Sequence, residues 1–277
     1  MLRERVSADI YVFTSDLYAQ VTSSIIVTPE GVVMIDSMPF PTEAQEIAAF
    51  VTHRLSTSVR YLILTHYHAD HTYGAYLFPQ ACILAHDHCR QFLLTRGEEG
   101  LAAARAEAVE LEAVDLRLPQ VTLDDGEMDL CIGGKLLRLM WTPGHSEDVI
   151  SVFLEEERIL FASDAVMPVP TIIDGDLETL KNSLRCLMEL QPECVVQGHG
   201  EVILRGEVQS ILQISIDYLD KIHELTAKAI ARGKSLEELL AIDIETCGLS
   251  RVALNGQAPQ LHAANLAVLY EKMIQRG

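Results

Sequence analysis

The chain has no two cysteines at CxxC spacing. Its six cysteines (Cys82, Cys89, Cys131, Cys186, Cys194 and Cys247) lie scattered through 277 residues. Cys82, Cys131 and Cys194 fall within apolar, strand-like runs, where a thiol behaves as a small buried hydrophobe, so reduced core cysteines are expected rather than disulfides. Long apolar runs are missing as well. No uninterrupted stretch reaches about 18 apolar residues, which excludes a helical membrane span. Met1-Leu2-Arg3-Glu4-Arg5-Val6 carries charge with no apolar run behind it, so no signal peptide is visible and a cytoplasmic protein is expected. Positive charge is scarce. Lys and Arg number 21 against 40 Asp and Glu, giving a formal net charge of -19 and a sequence pI near 4.8. Such a surface repels nucleic acid and anionic membrane, which leaves a small-molecule substrate as the expected partner. No repeat of 20–50 residues is present. What remains is a chain 49% hydrophobic and 22% charged, able to bury a real core as one large domain or a domain with an appendage.

The first two-thirds alternate short β-type runs with helical stretches. Gln20–Thr28 and Val32–Asp36 are β-branched-rich and flank the turn Pro29-Glu30-Gly31, which predicts a hairpin. Pro41 opens a helix in which Thr42 and Gln45 have capping-box spacing, followed by Ile47, Phe50, Val51 and Leu55 at helical intervals. Tyr61–Thr65 and Ala81–Ala85 are wholly apolar, as befits strands covered on both faces. Residues 86–113 read as helix with a break at Gly97–Gly100. Leu118–Leu123, Glu127–Ile132 and Lys135–Thr142 read as a meander, and Val149–Leu154 with Arg158–Ser163 as a second hairpin. Asp176 caps a helix through Leu190, and Cys194–Gln197 is a last strand. From about Leu204 the texture turns helical, with segments near 205–232, 235–242 and 259–275 and a second capping box at Ser235 and Glu238. Two sheets with helices outside form a four-layer α/β sandwich. Residues 1–203 are expected to be the catalytic domain and 204–277 an appended helical subdomain, whose apolar faces make a homodimer surface conceivable.

The densest chemical signal is Thr65-His66-Tyr67-His68-Ala69-Asp70-His71. Three histidines and a carboxylate within six residues, directly after a buried strand, serve no packing purpose. Imidazole nitrogens and carboxylate oxygens suit zinc, iron or manganese. From an extended strand end His66 and His68 would point the same way, while Asp70 and His71 sit where the chain turns into a helix and can face a second metal.

THYHADH resembles the HxHxDH signature of the metallo-β-lactamase superfamily. The resemblance covers about residues 10–202. Its later landmarks follow in order, each after a predicted strand: Thr142-Pro143-Gly144-His145-Ser146, Phe161-Ala162-Ser163-Asp164 and Gly198-His199-Gly200. It implies an αββα sandwich in which His66, His68 and His145 hold a first metal, Asp70, His71 and His199 hold a second, and Asp164 bridges both. Asp at the bridging place, rather than the cysteine of true zinc β-lactamases, is similar to the branch of hydroxyacylglutathione hydrolases and lactonases. The implied activity is a dinuclear metal-dependent hydrolase of a small ester, thioester or lactone. Two divalent ions, zinc foremost with iron or manganese as alternatives, share a water, and the resulting bridging hydroxide attacks the carbonyl. Asp70 would then also orient the hydroxide and shuttle a proton. Asp36, after Val33-Met34-Ile35, resembles a partner that orients a metal-bound histidine; a turn-forming Asp is the other reading.

Other residues carry weaker signals. His86 and His88 end a strand but are not needed for the ligand set, and His53, His223 and His262 lie on helices without a cluster. His262 keeps a second reading, because related proteins wall the substrate pocket with C-terminal helices. Tyr67 and Tyr73 flank ligands and either pack or touch substrate. Val166-Met167-Pro168-Val169-Pro170 reads as a stiff apolar rim. The basic motif with which glutathione-thioester hydrolases hold their substrate is missing, since Lys221, Lys228, Arg232, Lys234, Arg251 and Lys272 are scattered. The alternative activity is that of a mononuclear iron-dependent sulfur dioxygenase on the same fold.

Overall fold

The computed structural model describes residues 1–276. Seven strands form the first sheet in sequential order: β1 (Leu2–Arg5), β2 (Ile10–Thr14), β3 (Thr22–Thr28), β4 (Gly31–Ile35), β5 (Val59–Ile63), β6 (Cys82–His86) and β7 (Val121–Leu123). The β1–β4 pairings are antiparallel, whereas β4–β7 run parallel. The second sheet has the order β12-β11-β10-β9-β8, from β8 (Glu127–Ile132), β9 (Lys135–Trp141), β10 (Ile150–Leu154), β11 (Ile159–Ser163) and β12 (Cys194–Gln197).

Period-two alternation separates the layers. In β4, Val33 and Ile35 join Ile63 and Leu84 in the core between the sheets, facing Leu139, Val152 and Phe161 of the second sheet. Val32 and Met34 point the other way, onto helix α1 (Pro41–Ala49) through Ala44 and Ile47. On the outer face of the second sheet, Phe153, Leu160 and Val195 pack under α5 (Leu177–Glu189), α6 (Val208–Ala231) and α9 (Ala258–Arg276). Four layers result, helix–sheet–sheet–helix, the αββα sandwich expected from sequence. The shorter helices are α2 (Ala69–Thr72), α3 (Asp87–Phe92), α4 (Glu98–Glu107), α7 (Leu236–Leu240) and α8 (Ala253–Gly256). Leu180, Leu184 and Leu187 of α5 share one apolar cluster with Leu212, Leu219 and Leu266 of the C-terminal helices. Each such fully buried leucine contributes about 1.5–3 kcal/mol. Among the described residues no helix is long and apolar enough to cross a membrane.

Several expectations are corrected. Thr42 caps nothing: Phe40 is the N-cap of α1 and Pro41 its first residue, with no side-chain cap, because proline's fixed φ already suits the first turn. The helix after β6 does not break at Gly97–Gly100. It continues through a π-helical turn (Leu93–Gly97) into α4 and ends at Ala108. Gly97 serves packing instead, since a Cβ there would lie 2.8 Å from Leu116 Cδ1. The meander is split between sheets. Pro119 cannot donate to a ladder, so only Val121–Leu123 pairs, and it pairs with β6; β8 opens the second sheet. All six cysteines are free, but Cys131 is exposed on the face of β8 turned from the core, and Cys82 is only half-buried where it packs against the core between the sheets.

Candidate metal centre

The chemistry collects where strand ends of both sheets meet. Asp36 follows β4, Thr65 and His66 follow β5, Asp164 follows β11, and His199 follows β12. The sheets are tied together there. Ile150 N donates to Thr65 O (2.9 Å), Thr22 N donates to Gly198 O (2.8 Å), and the Thr65 and Ser163 hydroxyls lie 2.7 Å apart. Gly198 admits no side chain, because its Cβ would sit 1.8 Å from Asp164 Oδ1.

All seven residues singled out in the sequence converge. His66, His68, His145 and Asp164 form one donor group, and Asp70, His71 and His199 form another, the donor atoms of each within 4.8 Å of one another. His68 Nδ1 is 2.9 Å from His66 Nε2 and 3.1 Å from His145 Nε2. Asp164 reaches both groups. Its Oδ2 lies 3.3 Å from His145 Nε2 and 3.5 Å from His199 Nε2, and its Oδ1 lies 3.3 Å from His71 Nε2. Asp70 Oδ2 is 3.3 Å from His199 Nε2 and 3.6 Å from His71 Nε2.

The outward nitrogen of each histidine is occupied, which fixes what its inward nitrogen offers. His71 Nδ1 donates to Asp36 Oδ2 (2.9 Å), and His199 Nδ1 donates to Ala19 O (2.9 Å). His145 Nδ1 meets Thr171 Oγ1 at 2.7 Å, and that hydroxyl in turn donates to Met167 Sδ. His66 Nδ1 lies 3.1 Å from Thr65 Oγ1, which donates to Asp36 Oδ2. His68 is turned round, with Nδ1 inward and Nε2 3.6 Å from Asp174 Oδ2. Asp148, fully buried, accepts from Tyr67 N and from Ser146 Oγ and so clamps the His68 and His145 loops together.

Charge is distributed unevenly. Burial pushes His66 well below the usual histidine range and His145 down to about 4. Burial also disfavours charged His199 and His71. Asp164 and Asp70 outweigh it, raising His199 to about 10 and, with Asp36, carrying His71 well above its ordinary value. Asp70 and Asp164 stay below the carboxylate range despite burial, because His71 and His199 face them.

This donor set fits divalent metal. His71 Nε2 and Asp164 Oδ1 are buried, point into the centre and have no hydrogen-bond partner. Such atoms are costly unless something else satisfies them. Mixed imidazole and carboxylate donors suit zinc, iron or manganese alike.

A cavity of ≈ 360 Å³ opens onto the centre, with His68, Asp70, His145, Asp164 and His199 in its floor. Tyr18, Met167, Ile173, Leu254 and Leu261 line it, so the C-terminal helices do contribute to the wall. His262 does not. It is buried between Tyr218 Oη (2.9 Å) and Ile242 O (3.1 Å). Of the apolar rim, only Met167 lines the cavity, while Val166 and Val169 are buried in the core. Tyr67 Oη donates to Asp174 (2.5 Å), and Tyr73 packs with Leu101, Leu111 and Val114. His86 stacks on Trp141, its Nε2 2.5 Å from Asp124 O, and His88 lies 3.9 Å from Glu147. His53 and His223 are exposed. Sequence reading missed Tyr18, Asp148, Thr171 and Asp174. Asp148 and Thr171 each stand close to a landmark already noted, three residues after His145 and directly after Pro170, but nothing marks Tyr18 or the Ala19 carbonyl.

The family model of the Metallo-beta-lactamase superfamily matches residues 18–199. "Beta-lactamase-like protein 2 homolog" of Caenorhabditis elegans is 26% identical over 206 residues, 74% of this chain and 62% of that protein. "Atrochrysone carboxyl ACP thioesterase" of Aspergillus fumigatus is 31% identical over 172 residues, 62% of this chain and 46% of that protein. The chain thus spans less than two thirds of the length of either relative. In fold it is similar to a metallo-beta-lactamase family protein from Thermus thermophilus, with a TM-score of 0.72, 21% identity, and 99% and 95% of the two chains covered.

Proposed function

This chain belongs to the metallo-β-lactamase superfamily, and we propose that it is a dinuclear metal-dependent hydrolase of a small carboxylic ester, thioester or lactone. The observation that carries the reading is Asp164, whose two oxygens reach the two donor groups. His66, His68 and His145 would hold one ion, Asp70, His71 and His199 the other, with Asp164 between them; zinc is the expected metal, and iron or manganese would fit. Two bound divalent cations supply an acidified water and a Lewis acid for the carbonyl oxygen.

The chain's own groups do the rest. Asp70 is the more open of the two site carboxylates, its side chain 16% exposed against 3% for Asp164, and it lines the cavity. Its carboxylate can orient the attacking water and hold the proton that water gives up. The outward hydrogen bonds of His66, His71, His145 and His199, with Asp174 3.6 Å from His68, keep the donors in place without reorganisation. Met167, Ile173, Leu254 and Leu261 offer an apolar wall to an acyl chain and limit water at the reacting carbon. A thioester fits this reading, and a relative is named as a thioesterase.

The alternative is a mononuclear iron oxygenase; the presence of a second donor group of Asp70, His71 and His199 beside the first supports the dinuclear reading over it. Metal stoichiometry and oxygen uptake separate the two activities. The direct test is proton release by metal-loaded protein against a panel of thioesters, lactones, esters and β-lactams in weak buffer. Selective release with one class is expected. Silence across the panel, or one iron per chain with oxygen consumed, would overturn the hydrolase.

A further inference from the structure

The loop joining β2 to β3 is short and strained. Two of its residues, Ala19 (φ 43°) and Gln20 (φ 53°), are left-handed without being glycine. Such backbone persists only where its surroundings over-determine it, and it concentrates at functional sites. The surroundings here do so. Ser15 N donates to Val21 O (2.9 Å), and Val21 N donates to Tyr18 O (2.9 Å). Ser15 Oγ accepts from Leu17 N (3.0 Å) and Tyr18 N (2.9 Å) and donates to the buried carboxylate of Glu43 (2.7 Å). On the other flank His199 Nδ1 donates to Ala19 O, and Gly200 N donates to Gln20 O (2.9 Å). The loop is therefore bolted to the metal centre through His199, and it delivers one functional side chain to the cavity, Tyr18.

The other hydroxyls near the cavity are engaged. Tyr67 Oη donates to Asp174, Thr171 Oγ1 serves His145 and Met167, and Tyr218 Oη is held by His262 and Asn265. Among the described residues the Tyr18 hydroxyl has no protein partner, while its ring meets Phe40 edge-on at 6.5 Å. An ordinary phenol is protonated at neutral pH and is a ready donor.

We propose that Tyr18 is a catalytic residue whose phenol donates a hydrogen bond to the substrate's carbonyl oxygen as that oxygen takes up negative charge. The inference rests on the hydrolase reading above. In that reaction the water oxygen bonds to the carbonyl carbon, and the π pair moves onto the carbonyl oxygen. The pair then returns, the bond to the alkoxide or thiolate breaks, and the leaving group takes the proton water lost. Tyr18 keeps its own proton throughout. Its donor strengthens only when charge develops, which places its effect on turnover rather than on ground-state binding.

Tyr18→Phe removes the hydroxyl and keeps the ring against Phe40. In metal-loaded protein, kcat and kcat/KM are expected to fall together by roughly 100-fold or more. Metal content and melting temperature should match the unsubstituted chain. A second readout is calorimetric binding of an alkyl phosphonate monoester, a tetrahedral anion. Its affinity is expected to be roughly 10–100-fold weaker for Tyr18→Phe, the loss of one hydrogen bond to a charged group. Unchanged kcat, or equal phosphonate affinity or its absence in both proteins, would overturn the role of Tyr18. If phosphonate binding discriminates while no ester in the panel is cleaved, the hydrolase reading fails and the Tyr18 donor stands.

Discussion

Asp36 Oδ2 accepts from His71 Nδ1 at 2.9 Å, and the same carboxylate accepts from Thr65 N and Thr65 Oγ1, both at 2.8 Å. A single buried side chain at the end of β4 therefore holds the end of β5 and one candidate ligand. Asp36→Ala leaves these donors unpaired inside the protein. A loss of about 3–5 kcal/mol is expected, as for one partner of a buried pair. Metal affinity should drop by roughly 10–100-fold. Denaturant unfolding and metal titration check both, and wild-type affinity would remove Asp36 from the support of the site.

Asp70 faces the cavity from the second donor group. Asp70→Ala is expected to cut kcat by roughly 100-fold or more, combining a lost proton acceptor with a lost ligand. Metal analysis should give fewer than two ions per chain. Full activity in this variant would contradict the proton role assigned to Asp70.

Gly198 sits where its Cβ would overlap Asp164. Gly198→Ala must move Asp164, the residue both donor groups share, or distort the β12 loop. Loss of stoichiometric metal binding is expected, with melting lowered by several degrees, roughly 1–3 kcal/mol of overpacking. Crystallographic occupancy or metal analysis would decide, and an unchanged metal content would mean the loop yields more than its contacts imply.

Metal uptake should release protons. Without metal, His199 holds its proton to about pH 10 and His71 is likewise raised, whereas ligation requires neutral imidazole. Adding zinc to stripped protein at neutral pH should therefore release about two protons per chain, fewer as pH rises through 10. The sign for stability follows from the same shift. In the stripped protein the charged His199 contributes stability that is fully present below about 6.5, its unfolded value, and lost as pH rises through about 10. Zinc binding without proton release, followed with an indicator dye, would contradict this charge assignment.

Asn265 of α9 is fully buried and brackets Thr171. Its Oδ1 accepts from Ile172 N (3.0 Å), and its Nδ2 donates to Pro170 O (2.8 Å). Asn265→Leu should cost about 2–4 kcal/mol by leaving backbone groups unpaired. It should also loosen His145 by freeing Thr171, and so weaken metal binding. A stability loss with metal affinity intact would confine the C-terminal helix to a packing role.

The alternation of Val32, Val33, Met34 and Ile35, the wholly apolar Leu62–Leu64 and the periodic leucines of α5 dictated strands, helices and layers, because burial patterns repeat with the period of the backbone. Four of the seven donor residues, His66, His68, Asp70 and His71, were legible for a related reason: histidines and a carboxylate crowded after a buried strand have no packing role. His145, Asp164 and His199 stand singly in the chain and were marked only by their resemblance to the family's later landmarks. Three things were settled only by the tertiary structure. Thr42 and Gly97 show that capping and breaking depend on neighbours: Pro41 already sets the first turn, and Leu116 fills the space beside Gly97. The outward partners of His199, His145 and His68 are a backbone carbonyl, a threonine and an aspartate, from Ala19, Thr171 and Asp174, residues far from those histidines in the chain. Tyr18 lies far in the chain from every ligand, His66 being the nearest, and enters the cavity only because a strained loop is hydrogen-bonded to the strand end that carries His199. Sequence carries what one residue's chemistry and spacing dictate, whereas positions that matter through a partner's geometry become visible only when the two sheets are brought together.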